Sequence, residues 1–550
     1  MRIPPSKTLL EAAAVALLMA FTYAVVYGAH SGGLTVWYDA NGRINEFMKV
    51  SGANTGYDYP FHHDEWVHLT RARYILEGGG LDFVAPQYKR RPFYPDFEPG
   101  FHLFLAFFFR LTGMDPVLGY KYLPAACACV GALCAFILTR QLSGSFRAGI
   151  FSMLFFAALR SNTNMLGVWF FVPFTMVIPM TYLSAILFLR GLHDDRRYFL
   201  PFLAVMIVEM AVYAAYALLL MVVLCAYLVF HLQSSRRDLW VVGVIASVSA
   251  AGVAGFCLLA ASTMGVSGAV SNLIGKVVFR ASEEISENWF VAYNPLTVYG
   301  VFPCILAFIG LYAVSMNVYG RRKAAILIPW ILLVLVSLLA VRLYGVTLLA
   351  RQARIMYFGL LAMVPLSALG LDMVAGIACG GVSRILGGWG RRAAPACVVL
   401  LASAAFLITF DGYYTPQLSL PYHFIERQDY DAIKWAESVY GSGNVILAPP
   451  PMSDAIYPIS GNYVVEGNTL DDKGQPFIVF IGGDCNGGWK ILEDNDVDLV
   501  ISRWRLQCPE YLNLVYDTGD YVYEVNKTVA ASVNPPSQNG QDAHSPHGLG

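Results

Sequence analysis

Long apolar stretches recur along most of this chain, and they leave it few ways to fold. They lie at about residues 9–27, 117–139, 148–160, 174–190, 199–213, 216–231, 240–262, 296–318, 325–341, 355–377 and 395–410. That is about eleven segments, each near the ~20 residues a helix needs to cross hydrocarbon or somewhat short of it. Only helices or closed barrels satisfy their backbone polar groups inside a bilayer, so the stretches read as an all-α polytopic membrane domain. Composition agrees: 57% of the 550 residues are hydrophobic and 14% charged, against roughly 25% charged in soluble domains. A net charge of −1 gives no signal for a nucleic-acid partner. The first stretch follows Arg2 and Lys7 and is interrupted by Glu11, with no small-residue cleavage site after it. It is expected to be an uncleaved helix, not a signal peptide.

Short basic loops at Arg140–Arg147, Arg190–Arg197, Arg236–Arg237, Arg321–Lys323 and Arg384–Arg392 fall on the same side as Arg2 and Lys7. The positive-inside rule assigns that side to the cytoplasm. The expected location is therefore the cell membrane, with a cytoplasmic N-terminus. A large first loop at 31–116, loops near 161–173, 263–295 and 342–354, and everything after 411 then lie outside. Residues 1–410 form the membrane domain on this reading. Residues 411–530 alternate short apolar runs such as Val445-Ile446-Leu447 and Leu499-Val500-Ile501 with Gly, Asp and Pro, which reads as a small extracytoplasmic α/β domain. The polar stretch 531–550 reads as disordered. Asn526-Lys527-Thr528 is a glycosylation triplet of a kind that chance makes common. Most cysteines sit in apolar runs as small hydrophobes. Cys485 and Cys508 lie in the polar region and are the candidate disulfide.

The first loop carries polar chemistry that a membrane protein has little reason to keep. From Asp64 to Glu77 it reads as one helix, closed by Gly78-Gly79-Gly80. Asp64, His68 and Arg71 share a face, while Trp66, Leu69, Ala72 and Leu76 form a stripe suited to resting on the membrane interface. Asp64 reads either as a general base or metal ligand, or as a helix cap whose neighbour Glu65 suits the helix dipole. Lys89-Arg90-Arg91 lies on the side where basic residues are not expected, and suits a phosphate or lipid headgroups. Arg351 and Arg354, three apart before a late span, suit a phosphodiester or snorkel to headgroups. Arg280, Glu283, Glu284 and Glu287 lie on another external segment and would touch an acceptor or form a solvated face. Glu209, inside a span, is a weaker candidate.

The run His63-Asp64-Glu65-Trp66 through Ala72-Arg73-Tyr74-Ile75-Leu76-Glu77-Gly78-Gly79 resembles the Asp-Glu motif and following helix of the GT-C superfamily of integral-membrane glycosyltransferases. It is most similar to the protein O-mannosyltransferase and aminoarabinose-transferase branch. Glu98-Pro99-Gly100-Phe101-His102-Leu103 through Gly113 is similar to the surface helix that follows there, and Arg351 through Phe358 to an Arg-bearing segment of oligosaccharyltransferase catalytic subunits. The resemblance implies transfer of a sugar from a polyprenyl-phosphate donor to a protein, glycan or lipid acceptor on the extracytoplasmic face. Asp64 would be the base and Glu65 its positioner or a sugar contact. His68, Arg71, Lys89, Arg90, Arg91, Arg351, Arg354 and Glu284 would bind phosphate or acceptor. Two departures matter. The second external loop, from Ser161-Asn162-Thr163-Asn164 to Phe174, lacks a carboxylate, and no Trp-Trp-Asp-Tyr-Gly motif occurs. Neither Asn glycosylation nor an essential divalent metal or other cofactor is therefore expected. The alternatives are an oligosaccharyltransferase-like metal-dependent enzyme, a transporter, and a non-catalytic relative.

Overall fold

The computed structural model describes residues 5–31, 58–91, 98–159, 161, 166–231, 243, 278–280, 299–411, 425–465, 476–477, 480, 485–508 and 510–527. The chain divides into two compact units, one of residues 1–83 and 95–423, the other of 84–94 and 424–550.

The first unit is helical. In chain order it holds α1 (Pro5–Ser31), α2 (His63–Leu76), α3 (Pro99–Thr112), α4 (Leu123–Ser143), α5 (Phe146–Ala157), α6 (Pro173–His193) and α7 (Phe199–His231). After β1 (Val278–Arg280) come α8 (Val301–Ser315), α9 (Leu327–Tyr344), β2 (Val346–Leu348) and α10 (Gln352–Asp411). Among the described residues six helices are long and apolar enough to cross a membrane, and three shorter apolar ones accompany them. The expected span 240–262 lies outside the described residues. Spans 199–213 and 216–231 meet within α7 as two helices joined at a kink, where Tyr213 takes φ −156°, ψ 89°. One other expectation needs adjusting. The basic turn expected at Arg384–Arg392 is carried in helical backbone within the 60-residue α10. Glycines and arginines lower or leave unchanged the local preference for helix, and no proline between 366 and 394 stops it.

Helices α8 and α10 cross with their backbones in contact. A Cβ added at Gly310 would collide with the Leu366 carbonyl oxygen, and one at Gly370 with that of Leu306. Close approach through small residues is how membrane helices gain packing where lipid removes the hydrophobic drive. Strands β1 and β2 pair antiparallel, Val278 opposite Leu348.

In α2 the apolar stripe faces inward: Trp66, Leu69 and Ala72 are essentially fully buried. The exposed apolar stripe is found instead on α3. There Leu103, Phe107 and Leu111, four residues apart, stand exposed while Phe101, Leu105 and Phe109 are buried.

The second unit is a mixed five-stranded sheet in the order β4-β3-β5-β7-β6. Its strands are β3 (Val445–Leu447), β4 (Tyr463–Val464), β5 (Leu499–Ser502), β6 (Leu512–Tyr516) and β7 (Tyr521–Val525), with helices α11 (Arg427–Tyr440), α12 (Pro450–Ser460) and α13 (Cys485–Asp494). The first three strands in that order run parallel and the last two pair antiparallel. Asp429 is buried in α11 and receives two bonds from the Arg503 guanidinium at 2.8 and 2.6 Å, which fastens the helix to the end of β5. Cys508 is disulfide-bonded, and the side chain of its expected partner Cys485 lies outside the described residues.

The first loop does not stay in one unit. Residues 84–94 belong to the second, where the Val464 amide donates to the Gln87 carbonyl and Lys89 Nζ sits 2.5 Å from Asp496 Oδ2. Arg91 donates to the Tyr463 hydroxyl at 3.5 Å, and Arg90 is exposed. The basic triplet expected at a phosphate site is thus engaged, at Lys89 and Arg91, by residues of the second unit, because the charge and hydroxyl that complement it lie there.

Candidate active site

Helix α2 begins with an unusual cap. His62, in extended conformation, takes the N-cap position, and its Nδ1 accepts the Asp64 amide at 3.0 Å. An accepting Nδ1 requires an unprotonated nitrogen, and burial lowers the His62 pKa to about 4. Asp64 is therefore the second residue of the helix, in its first turn, and is not its cap.

Three residues past the cap, Glu65 closes a capping box. Its Oε2 accepts the amides of Phe61 at 2.6 Å and His62 at 2.9 Å. Its Oε1 accepts the Phe171 amide, in the loop before α6, at 2.7 Å. The Phe171 carbonyl in turn accepts the Tyr120 hydroxyl. Both backbone groups of one residue are held, so the second loop is fixed to the first. Burial pushes the Glu65 carboxyl up to about 8, against the pull of these three donors. It is wholly buried, which leaves no surface for a sugar; of its two expected roles, only positioning fits this geometry.

Asp64 beside it is different. Its side chain is 42% exposed. Burial pushes its carboxyl up, but electrostatic interaction with His62, His68, the Arg354 guanidinium and His63 outweighs burial and holds it below the ordinary 3.8. Adjacent carboxyls with diverging environments have divided roles: Asp64 is the charged, accessible one.

Arg354 comes from the first turn of α10. Its guanidinium lies 4.1 Å from the centre of the Phe174 ring and bonds the Tyr213 side chain, and its carbonyl accepts the Tyr216 hydroxyl at 2.9 Å. The break in α7 is what presents both tyrosines there. Arg351 is exposed one turn earlier. His68 is buried, its Nδ1 2.9 Å from His102 Nε2. Arg71 is buried too, donating to the Asp82 carbonyl at 3.1 Å, where it braces the turn after α2. Glu209 is buried between Thr181 and Ser184, which donate to it at 2.7 and 3.0 Å. Glu284 lies outside the described residues.

The fold therefore brings His62, His68 and Arg354 within electrostatic reach of Asp64; of the four, Asp64, His68 and Arg354 were among the expected site residues. His62, Glu98, His102 and Tyr213 were not among the expected site residues. The capping-box spacing from His62 to Glu65 was the one local signal; the others depend on tertiary approach.

Searches against known structures show the fold. The chain is similar to the archaeal oligosaccharyltransferase AglB from Archaeoglobus fulgidus, in complex with an inhibitory peptide and a dolichol-phosphate, at TM-score 0.58 and 12% identity, over 96% of this chain and 75% of that one. It is similar to ArnT from Cupriavidus metallidurans in the apo state, at TM-score 0.56 and 14% identity, over 95% and 99% of the two chains. ArnT bound to undecaprenyl phosphate matches at TM-score 0.55 and 14% identity, over 92% and 97%. This is the GT-C fold, and with the apolar helices it makes the chain a membrane protein. No curated protein sequence matches. The family model that matches covers residues 47–452, from the first loop to α12, so the chain belongs to DUF6541, a family of unknown function.

Proposed function

We propose that the chain transfers a sugar from a polyprenyl-phosphate donor to an acceptor hydroxyl on the extracytoplasmic side of the membrane. The observation that carries this reading is Asp64: a half-exposed carboxylate, kept ionised, with the Arg354 guanidinium within electrostatic reach of it in a GT-C fold. In the reaction the acceptor oxygen attacks the anomeric carbon as its proton passes to Asp64. The bond from that carbon to the phosphate oxygen breaks with inversion, and the electron pair leaves on the phosphate. Arg354 and Arg351 stabilise that growing negative charge. Glu65 holds the Asp64 turn in place through the loop peptides. The acceptor is a protein, glycan or lipid, the lipid tail lies among the spans, the N-terminus is cytoplasmic and the second unit extracytoplasmic. Likeness to ArnT bound to undecaprenyl phosphate and AglB with a dolichol-phosphate supports the donor class.

The test compares wild type with Asp64→Asn in liposomes given a pool of polyprenyl-phosphate sugars. The substitution removes the base and, since Asp64 is not the cap, costs only about 0.3–1 kcal/mol of charge–dipole interaction. Sugar release that falls at least about 100-fold in the variant is expected. Equal turnover in both would remove Asp64 from the chemistry, and no turnover in wild type would remove the donor class.

A further inference from the structure

We propose that His68, Glu98 and His102 form a binding site for one divalent transition-metal ion of the zinc type. The three side chains come from two helices, with one ligand atom of each lying within 4.8 Å of the others. His68 Nδ1 and His102 Nε2 stand 2.9 Å apart, and ligands of one tetrahedral zinc, bound at about 2.0–2.1 Å, are separated by only slightly more. Two imidazoles and a carboxylate are a donor set that suits zinc and its neighbours, not magnesium or calcium. Three protein ligands leave one position for water or substrate.

Further features prepare the site. Glu98 occupies the N-cap position of α3, yet its side chain makes no cap bond; together with His102, four residues on, it is turned toward His68. The start of α3 cannot drift away, because Gly100 lies so close to α7 that a Cβ there would be 2.8 Å from the Ala211 carbonyl carbon. The His68 ring is wedged edge-on against Phe101, 5.0 Å between centres, and Phe101 is fully buried. Apolar walls of this kind strengthen ligand–metal attraction by excluding water. The carboxylates of oligosaccharyltransferase second loops play no part: all three donors come from the first loop. The ion would tie α3 to α2 one turn along from Asp64.

The experiment uses the full chain in nanodiscs, stripped with chelator and then given zinc chloride alone. Zinc per chain is read by mass spectrometry after desalting, and affinity by calorimetry, for wild type, His102→Ala and Glu98→Gln. One zinc per chain is expected in wild type, weakened at least about tenfold in both variants, since even changes behind a ligand cost that much. Glu98 is only half-buried and does no capping, so Glu98→Gln carries the comparison if His102→Ala fails to fold. Wild type without zinc, or zinc held equally by folded variants, overturns the proposal and leaves a plain imidazole–imidazole hydrogen bond. Because the readout is metal content, it stands whether or not sugar transfer is observed.

Discussion

Glu65→Gln separates the two neighbouring acids more sharply than any other change. Above about pH 8, where the Glu65 carboxyl is ionised, both its oxygens accept backbone amides: Oε2 from Phe61 and His62, Oε1 from Phe171. Glutamine offers one accepting oxygen. Its best orientation turns that oxygen to the Phe61 and His62 pair, which leaves the amide nitrogen facing the Phe171 N–H at the former 2.7 Å separation. Two buried donors, the Phe171 N–H and the amide's own, then lack acceptors at about 1–3 kcal/mol each, roughly 2–6 kcal/mol together. The cost falls on the contact between the loops, since the α2 end of the box is retained. Hydrogen exchange on the peptide covering 166–172, followed above about pH 8 where Glu65 is ionised, reads it directly. Each 1.4 kcal/mol is about tenfold, so opening of that loop should become at least about 30-fold more frequent. Asp64→Asn, whose side chain makes none of these bonds, should exchange like wild type there. If Glu65→Gln leaves 166–172 as protected as wild type, the buried carboxyl is not what holds the second loop, and the division of roles between the two acids fails.

Three further outcomes follow from the geometry. Gly310→Ala, which drives a methyl into the Leu366 carbonyl, should cost several kcal/mol by overpacking, about 1–3 or more; a wild-type melting curve would show that α8 and α10 are further apart than described. Asp64 is held below 3.8, so the acid limb of sugar transfer should show no contribution from it between pH 5 and 7; a titration in that range that disappears in Asp64→Asn contradicts the electrostatic account. Lys527 and Lys89 hold Asp496 at about 2 by direct bonds. A folded value below the unfolded 3.8 gives stability that is present above 3.8 and is lost as pH falls through about 2. Lys89→Ala should move the Asp496 titration, read by carboxyl NMR, back toward 3.8, and an unmoved titration would place Lys89 elsewhere.

What could be read from the sequence was whatever local pattern encodes. Apolar length revealed the membrane helices, and the Asp-Glu pair in the first loop pointed to Asp64. Tertiary partners were out of reach. Glu65 read as a positioner or a sugar contact, and its bond to the Phe171 amide, 106 positions away, was not legible. Lys89 read as suited to a phosphate or lipid headgroups, and its pairing with Asp496, 407 positions away, was not legible either. The stripe Trp66, Leu69, Ala72 was legible as apolar, but periodicity alone does not say whether such a face meets lipid or protein. His68 and His102, 34 apart, sat on separate predicted helices with nothing in the spacing to join them.

Helix α3 has two sides with different obligations. Leu103, Phe107 and Leu111 point outward, while His102 on the opposite side reaches His68. A helix so divided suits the boundary between water and acyl chains, and there it would act as a float whose draught sets the height of everything attached beneath it. Bilayer thickness and headgroup packing would then bear on how His102 and Glu98 are held, as levelling screws bear on an instrument. Solubilising the protein in a micelle, where that boundary is curved and soft, takes the screws away.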